Sequence, residues 1–325
     1  MNEPRVCIIG AGALSTRRIY PYLGAAGAVL AGACDLDAGK AEQNARRFGG
    51  QAYTDYRRML AEQKPDAVII CIGPEQHAAL AREVLKLGFP VYTEKPPAPS
   101  AAAALEVARA ARAAGLLCTT AFKKRYCTAY RRAKDWLARF PAEDLLSISL
   151  DYASGAYRNT DARSSFLLDF AIHAIDLVAY LGGDVAEAFA FAKARDAYAV
   201  SLRFESGAVG SLNLNAGRSF SVPTEEAEIT VRGGNFMTIH NSSCWRITEQ
   251  EKCVEWREPP TFTSAGDSGN ETGHLAEIVD FLAALREKRT TRSNIYESYK
   301  SMVLYEAIRD SAEAGRIVRV RVEPL

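Results

Sequence analysis

Over the first 121 residues, short continuous apolar runs alternate with longer segments in which apolar residues recur at helical spacing. Runs of this length without a polar face are typical of strands that helices cover on both sides of a sheet. The predicted strands are residues 5–9, 29–34, 67–72, 90–93 and 116–121. The predicted helices are residues 13–24, 37–48, 75–87 and 99–114. This alternation predicts parallel βαβ units with right-handed crossovers, and hence an α/β domain over residues 1–122.

The pattern changes after residue 122, where a linking helix at 124–139 precedes a series of strands joined by hairpin-type turns such as Ser206-Gly207 and Gly233-Gly234. The predicted strands are residues 145–152, 185–193, 197–204, 207–215, 226–232, 235–240, 243–248 and 317–322. The predicted helices are residues 165–181, 273–288 and 295–314, and the Pro-, Gly-, Ser- and Thr-rich residues 257–273 are predicted as a loop. We therefore predict a second, α+β domain over residues 123–325 with a large, mainly antiparallel sheet.

Composition narrows the class of protein. The 325 residues carry a formal net charge of +1, so no basic field attracts nucleic acid. No apolar run reaches the length that crosses a membrane, and a strand close to Met1 leaves no room for a signal peptide. We therefore expect a cytoplasmic location. The seven cysteines form no CxxC pair and the four histidines lack zinc-ligand spacing, so free thiols and no metal site are expected.

The turn Gly10-x-Gly12-x-x-Ser15 lies between the first predicted strand and the first predicted helix. The first glycine permits a tight turn, and the second allows the backbone to approach a pyrophosphate at the helix N-terminus. The sequence predicts a Rossmann dinucleotide site here, with Ala13 and Leu14 at the start of the helix. Ser15 departs from the Gly or Ala that the third position usually takes.

An acidic residue completes this pattern, because Asp35 ends the second predicted strand 23 residues beyond Gly12. A carboxylate at this place accepts hydrogen bonds from ribose hydroxyls and repels a 2′-phosphate. The sequence therefore favours NAD over NADP. Binding of NADP stays open, because Arg17, Arg18 or Lys40 can supply charge to a phosphate.

Two further segments carry candidate chemistry. Glu94-Lys95-Pro96-Pro97 follows a predicted strand, and ligands of open α/β sheets bind beyond the carboxyl ends of strands. Asp169, His173 and Asp176 share one face of the helix predicted at 165–181, where a carboxylate four residues away can orient an imidazole for proton transfer. Taken singly, Lys95 is better explained as a surface lysine in a proline turn, and His173 is equally well explained as a histidine beside a helix-start acid.

Together these motifs resemble the glucose–fructose oxidoreductase / inositol dehydrogenase / MocA family along the whole chain. Each motif is short, and the resemblance rests on their order and spacing. Besides the glycine turn, Asp35 and the two segments above, the matching residues are Gly73-Pro74-Glu75-Gln76-His77, Phe122-Lys123-Lys124-Arg125-Tyr126 and Gly182.

The resemblance implies an NAD(P)-dependent enzyme that moves hydride between nicotinamide and a carbinol or ketone carbon of a sugar, inositol or related cyclic polyol. It implies that His173 exchanges the hydroxyl proton, that Lys95 stabilises the alkoxide, and that Asp169 supports the imidazolium and binds a substrate hydroxyl. Lys123 matches a position that often faces substrate. The resemblance further implies cofactor contacts from Gly73, His77, Glu94 and Lys95, and a cis Lys95–Pro96 peptide.

One departure from the family bears on the substrate. A glycine triplet often precedes the Asp-x-x-x-His helix, and this chain has Arg163-Ser164-Ser165-Phe166 there. With the polar segment that begins at Tyr157, we expect Arg163 to select a substrate with an acidic or polar substituent.

Two alternative functions share this fold. Some relatives retain NAD and use transient oxidation for elimination or glycoside cleavage, and others sense dinucleotides without catalysis. The presence of Lys95, Asp169 and His173 together argues against a pure sensor. The resemblance also implies a homodimer or homotetramer formed through the C-terminal sheet.

Overall fold

The computed structural model of the protein describes residues 3–155, 165–219, 222–258 and 268–325. Its contacts divide the chain into two units. The first unit comprises Met1–Lys123, Gly273–Tyr299 and Leu325, and the second comprises Lys124–Thr272 and Lys300–Pro324. Within the described ranges, no helix has both the length and the apolar character needed to cross a membrane.

The first unit is built on a six-stranded, wholly parallel sheet. Its strands are β1 (Arg5–Ile9), β2 (Val29–Cys34), β3 (Gln51–Tyr53), β4 (Ala67–Ile70), β5 (Val91–Thr93) and β6 (Cys118–Thr120). The spatial order β3-β2-β1-β4-β5-β6 is that of a Rossmann sheet. The predicted α/β fold of this part of the chain is confirmed.

Five helices connect these strands: α1 (Ala13–Arg18), α2 (Ala38–Phe48), α3 (Tyr56–Gln63), α4 (Pro74–Lys86) and α5 (Ala101–Ala114). The side chains of Asp37, Asp55 and Ser100 cap the N-termini of α2, α3 and α5 by accepting amide hydrogen bonds. The first helix is shorter than the predicted 13–24, because Pro21 cannot donate the next helical hydrogen bond. A 3₁₀ turn at Tyr20–Tyr22 replaces its end.

The second unit contains a nine-stranded sheet in which every pair is antiparallel except β7 with β10. The strands are β7 (Leu145–Ala153), β8 (Val185–Lys193), β9 (Ala197–Phe204), β10 (Val209–Asn215), β11 (Thr224–Val231), β12 (Asn235–His240), β13 (Cys244–Glu249), β14 (Lys252–Arg257) and β15 (Val318–Arg319). Their order is β14-β13-β12-β11-β7-β10-β9-β8-β15. The helices before Gly273 are α6 (Thr128–Leu137), α7 (Phe166–Asp169), α8 (Ile172–Gly182) and α9 (Ser268–Glu271). The predicted α+β sheet architecture is confirmed.

The central strands of this sheet are apolar on one face and polar on the other. In β9, Tyr198, Val200, Leu202 and Phe204 are buried, while the residues between them are exposed. The open face is lined by Ser, Asn, Asp, Glu and Thr side chains together with Phe189 and Phe191. It carries a shallow depression of about 500 Å³.

The last two helices are α10 (His274–Glu287) and α11 (Ile295–Ala314). The first of these packs on the parallel sheet, where Ile278, Phe281 and Leu282 join the same buried cluster as Ile8 and Tyr92. Burial of such large apolar side chains stabilises the unit by about 1.5–3 kcal/mol for each one. A helix far along the chain thus completes the core around the first strands.

Candidate active site

The glycine turn of the first unit has the geometry that a dinucleotide requires. Gly10 has φ +109°, and a Cβ atom there would lie 1.9 Å from the carbonyl oxygen of Cys71, so no other residue fits. Gly12 precedes α1 with open space around its Cα, and no side chain caps this helix. Amide groups at the start of α1, in the segment of Ala13 and Leu14, therefore face a surface that a pyrophosphate can occupy.

The polar third residue of the motif is accommodated inside the turn. Ser15 is fully buried, and its hydroxyl donates a hydrogen bond to the Gly12 carbonyl oxygen at 3.1 Å. Burial of a hydroxyl group that keeps a hydrogen-bond partner costs little free energy. Ser15 therefore keeps the close approach of helix and strand that Gly or Ala usually provides.

Asp35 ties the end of β2 to the glycine turn. Its Oδ2 accepts a hydrogen bond from the Ala11 amide at 2.7 Å, and its Oδ1 accepts one from the Asp37 amide at 3.0 Å. Each carboxylate oxygen has a second lone pair for a ribose hydroxyl. Arg17 and Arg18 are exposed on α1, and Lys40 pairs with Asp37 at 3.4 Å. The open space at Gly12 and the free lone pairs of Asp35 fit the pyrophosphate and the adenosine ribose of NAD.

His77 links two of the predicted cofactor segments. It is 1% exposed, its Nε2 accepts a hydrogen bond from the Ile72 amide at 3.2 Å, and its Nδ1 lies 2.9 Å from the Pro96 carbonyl oxygen. Because Nε2 accepts, the ring carries its proton on Nδ1 and is neutral. Burial lowers the pKa of His77, in agreement with this assignment. His77 thus fixes the loop that contains Gly73 and the turn after Lys95.

Glu94 and Lys95 follow β5 at the same edge of the sheet as the glycine turn and Asp35. The Lys95–Pro96 peptide is cis, as the resemblance implies. Glu94 is buried and accepts a hydrogen bond from the Lys95 amide at 3.1 Å. Burial raises the pKa of Glu94, while the ammonium groups of Lys95 and Lys123 act to lower it. Lys95 is half-buried and directly follows Glu94 at this edge.

Lys123 follows β6 at this edge, and its Nζ lies 3.4 Å from Nε2 of His274 at the start of α10. Sequence reasoning did not select His274, because a lone histidine after a loop carries no motif. The only available signal was its helix-start position, which does not show which strand end the helix approaches.

The second unit carries the Asp169–His173 motif, and its backbone differs from the prediction. The helix predicted at 165–181 is two helices, with Asp169 the last residue of α7 and His173 the second residue of α8. Phe170 and Ala171 separate them, although both keep right-handed helical dihedrals. The single helix predicted at 165–181 is therefore interrupted between Asp169 and His173. His173 is 7% exposed and Asp169 is half-buried.

Asp176, the last residue of that motif, has a structural partner. Both of its oxygens accept hydrogen bonds from Arg125, which is 3% exposed, and Oδ1 also accepts one from the Ser301 hydroxyl at 2.7 Å. The neighbouring Lys124 is likewise buried and forms an ion pair with Glu225. Two of the three basic residues at 123–125 therefore serve the interior of the second unit.

Two predicted substrate contacts, Tyr157 and Arg163, lie outside the described residues. The remaining cofactor and substrate candidates of the first unit all follow the carboxyl ends of its strands. A parallel sheet in this order, with a glycine turn after β1 and an acid after β2, defines an NAD-binding protein of the Rossmann class.

The particular family follows from comparison with known proteins. Residues 4–122 match the Gfo/Idh/MocA oxidoreductase family with its NAD-binding Rossmann fold, and residues 157–322 match the C-terminal alpha/beta domain of that family. The chain belongs to the Gfo/Idh/MocA oxidoreductase family. The resemblance drawn from the motifs, and the prediction of an NAD-binding oxidoreductase, are confirmed.

Individual relatives span nearly the whole chain. A 4-carboxy-2-hydroxymuconate-6-semialdehyde dehydrogenase of Sphingobium sp. is 25% identical over 90% of this chain and 93% of its own length. An inositol 2-dehydrogenase of Acidothermus cellulolyticus is 24% identical over 97% of this chain and 94% of its own length. The crystal structure of an oxidoreductase from Agrobacterium radiobacter in complex with NAD+, L-tartaric acid and magnesium has a TM-score of 0.86. It is 19% identical and covers 98% of each chain.

Proposed function

We propose that this protein transfers hydride between NAD and a carbinol or ketone carbon of a sugar, inositol or related cyclic polyol. The observation that carries the proposal is Lys95, half-buried at the carboxyl edge of the parallel sheet and directly after Glu94. A positive charge at that edge stabilises an alkoxide that develops next to the cofactor. The full-length similarity to an inositol 2-dehydrogenase supports a cyclic polyol.

The cofactor contacts that we propose come from Gly10, Gly12, Ala13, Leu14 and Asp35, with Gly73, His77 and Glu94 along the same edge. When bound, NAD supplies the hydride acceptor. Gly10 permits the tight turn against the Cys71 carbonyl, Gly12 leaves room for the pyrophosphate, and Asp35 accepts hydrogen bonds from the ribose hydroxyls. His77 contributes by holding the backbone after β4 and after Lys95.

The proton chemistry that we propose belongs to His173. An imidazole exchanges protons near neutral pH, which suits the removal of a hydroxyl proton as hydride leaves the carbon. Lys95 holds the substrate hydroxyl and stabilises the alkoxide. Asp169 supports the imidazolium and binds a second hydroxyl.

Substrate selection is the finer part of the proposal. Lys95 and Lys123 both follow strands at one edge of the parallel sheet. Arg163 is a third cation, in the polar segment that begins at Tyr157. We therefore propose a substrate with hydroxyl groups and an acidic or polar substituent. The similarity to the 4-carboxy-2-hydroxymuconate-6-semialdehyde dehydrogenase, whose name gives a substrate with a carboxyl group, supports this preference.

A substrate panel tests the proposal. Sugars, inositols, sugar acids and keto-sugars are each incubated with NAD and NADP while nicotinamide absorbance is followed. Turnover with one of these classes that is lost in Lys95→Ala and His173→Ala is the expected result. Tight binding of NAD without turnover of any compound contradicts the proposal, and a cofactor that stays bound without net redox change favours a lyase or glycosidase.

We also propose that the protein forms a homodimer or homotetramer through the open face of the C-terminal sheet. Phe191 is 68% exposed on this face, and Phe189 lies 4.8 Å from it, ring centroid to ring centroid. This aromatic pair on an otherwise polar face supports association through this face. Light scattering on Phe191→Glu, with Val222→Glu as an exposed control, tests this: only the first is expected to give monomers.

A further inference from the structure

Helix α10 brings two ionisable residues of the first unit to its N-terminal turn. His274 is the first residue of the helix and Glu277 lies three positions further on, so both side chains project from one face. Nε2 of His274 lies 3.4 Å from the Lys123 ammonium. An ammonium group only donates hydrogen bonds, so Nε2 accepts and the imidazole is neutral.

Glu277 is an unusual residue for the interior of this unit. It is 2% exposed, and its Oε2 is buried without a hydrogen bond to any residue that the structure describes. The packing of Phe281 on the Tyr92 ring, with centroids 5.6 Å apart, fixes this part of α10 against β5. A buried acid is costly unless it is paired or neutral.

The groups around Glu277 show which of these two states holds. Burial raises its pKa, and the Glu94 carboxylate raises it further, while the Tyr92 hydroxyl and the Lys123 ammonium act in the opposite direction. The outcome is a pKa well above the usual range of a glutamic acid. Burial and the Glu94 carboxylate therefore both favour the protonated, neutral form of Glu277.

The adjacent lysine provides a contrast. Lys124 is 6% exposed and forms a buried ion pair with Glu225, whose pKa is lowered by this ammonium against the opposing effect of burial. A charged acid thus draws Lys124 into the interior. Lys123 is instead half-buried at the sheet edge, with its ammonium near His274.

We propose that His274 and Glu277 are positioning residues that hold the Lys123 ammonium at the ligand-binding edge, where it selects the substrate. His274 accepts a hydrogen bond from the ammonium at 3.4 Å, and the buried Glu277 lies on the same face of α10, three positions further on. The part played in substrate selection rests on the proposed function of Lys123, whereas the positioning itself does not.

Competitive acetylation of the holoenzyme, read peptide by peptide in a mass spectrometer, tests the positioning without a substrate. Glu277→Ala and His274→Ala are expected to raise the acetylation rate of Lys123 several-fold, while the exposed Lys86 stays unchanged. Glu277→Gln, which keeps the shape of a neutral acid, is expected to match the wild type. An unchanged rate at Lys123 in both alanine variants overturns the proposal. If those variants fail to fold, His274→Gln replaces them with the same expectation.

A second measurement tests the neutral state of Glu277. When the pKa of an acid is higher in the folded than in the unfolded protein, the folded protein loses stability as pH rises through the folded pKa. The melting temperature of Glu277→Gln relative to the wild type is therefore expected to increase with pH. Glu287→Gln, an exposed substitution on the same helix, serves as the control. A melting-temperature difference between Glu277→Gln and the wild type that does not increase with pH contradicts a neutral acid.

The two levels of the proposal fail separately. If Lys123 reactivity responds as expected but Glu277→Ala leaves KM for every accepted substrate unchanged, the positioning stands and the substrate role of Lys123 is wrong. If the enzyme turns over no polyol, the acetylation and melting results still decide the roles of His274 and Glu277.

Discussion

The Arg125 guanidinium and the Asp176 carboxylate form a two-pronged ion pair inside the second unit, with Nη2–Oδ1 at 2.8 Å and Nε–Oδ2 at 2.9 Å. The side chains are 3% and 0% exposed. Two parallel hydrogen bonds of this kind orient both groups and strengthen the ion pair. The pair joins the segment after β6 to α8, the helix that carries His173.

The first prediction concerns the stability that depends on this pair. Asp176→Asn leaves the Arg125 charge buried without a counterion, so the free energy of unfolding is expected to fall by about 3–5 kcal/mol. Asp176→Leu with Arg125→Met removes both charges and is expected to recover much of the loss. Urea denaturation of the single and double variants measures both values. A double variant less stable than Asp176→Asn would show that the pair itself is strongly favourable.

Much of the first unit could be predicted because the sequence signals that specify its elements lie close together along the chain. Each βαβ repeat buries a continuous apolar strand, and the glycine turn and Asp35 lie at fixed positions in the first repeat. The strand β3 has only three residues, so it left no apolar run to find. The break between Asp169 and His173 occurs at Phe170 and Ala171, where no Pro or Gly signals the end of a helix.

Contacts distant along the chain could not be predicted from local patterns. The apolar periodicity of α10 shows that it covers a core, but not that this core belongs to β1 and β5. The proximity of His274 to Lys123 depends on that packing, since 151 positions separate the two residues. The pairing of Asp176 with Arg125 could not be predicted for the same reason. A position in a motif does not show whether a carboxylate contacts a ligand or an arginine.

The second prediction concerns cofactor choice. Asp35→Asn removes the charge that we propose accepts hydrogen bonds from the ribose hydroxyls, and it weakens the hydrogen bond from the Ala11 amide. The Kd for NAD is expected to rise about 10- to 100-fold, the range expected for a lost charged hydrogen bond, with a smaller change for NADP. Titration of cofactor fluorescence measures both constants. Asp37→Asn, at the exposed cap of α2, is the matched control, and an equal loss of NAD affinity in both variants would contradict the role of Asp35.

The third prediction follows from the buried, neutral His77. Its pKa is lowered in the folded protein from the ordinary value of 6.5, with burial as the main cause. Below about pH 6.5 the unfolded chain therefore binds a proton at His77 that the folded chain does not bind. The contribution of the neutral His77 to the free energy of unfolding is fully present above about pH 6.5 and declines as pH falls below that value. His77→Gln is expected to reduce this acid-dependent loss, although it lowers stability at neutral pH. Melting temperatures at about pH 8 and about pH 5 measure the slope, and an equal slope in both proteins would refute the assignment.

The fourth prediction separates proton transfer from cofactor binding. His173→Ala is expected to lower kcat about 10²- to 10⁴-fold, the usual contribution of a positioned acid–base group, while the Kd for NAD stays unchanged. Lys95→Met is expected to lower kcat about 10²- to 10³-fold, because it removes the charge that we propose stabilises the alkoxide. His240→Ala is the control, since His240 is exposed on β12 of the antiparallel sheet and pairs only loosely with Glu226 at 3.8 Å. Steady-state kinetics on the substrate found in the panel supplies kcat, and calorimetry supplies the Kd. A His173→Ala enzyme with wild-type kcat would assign the proton transfer to another group.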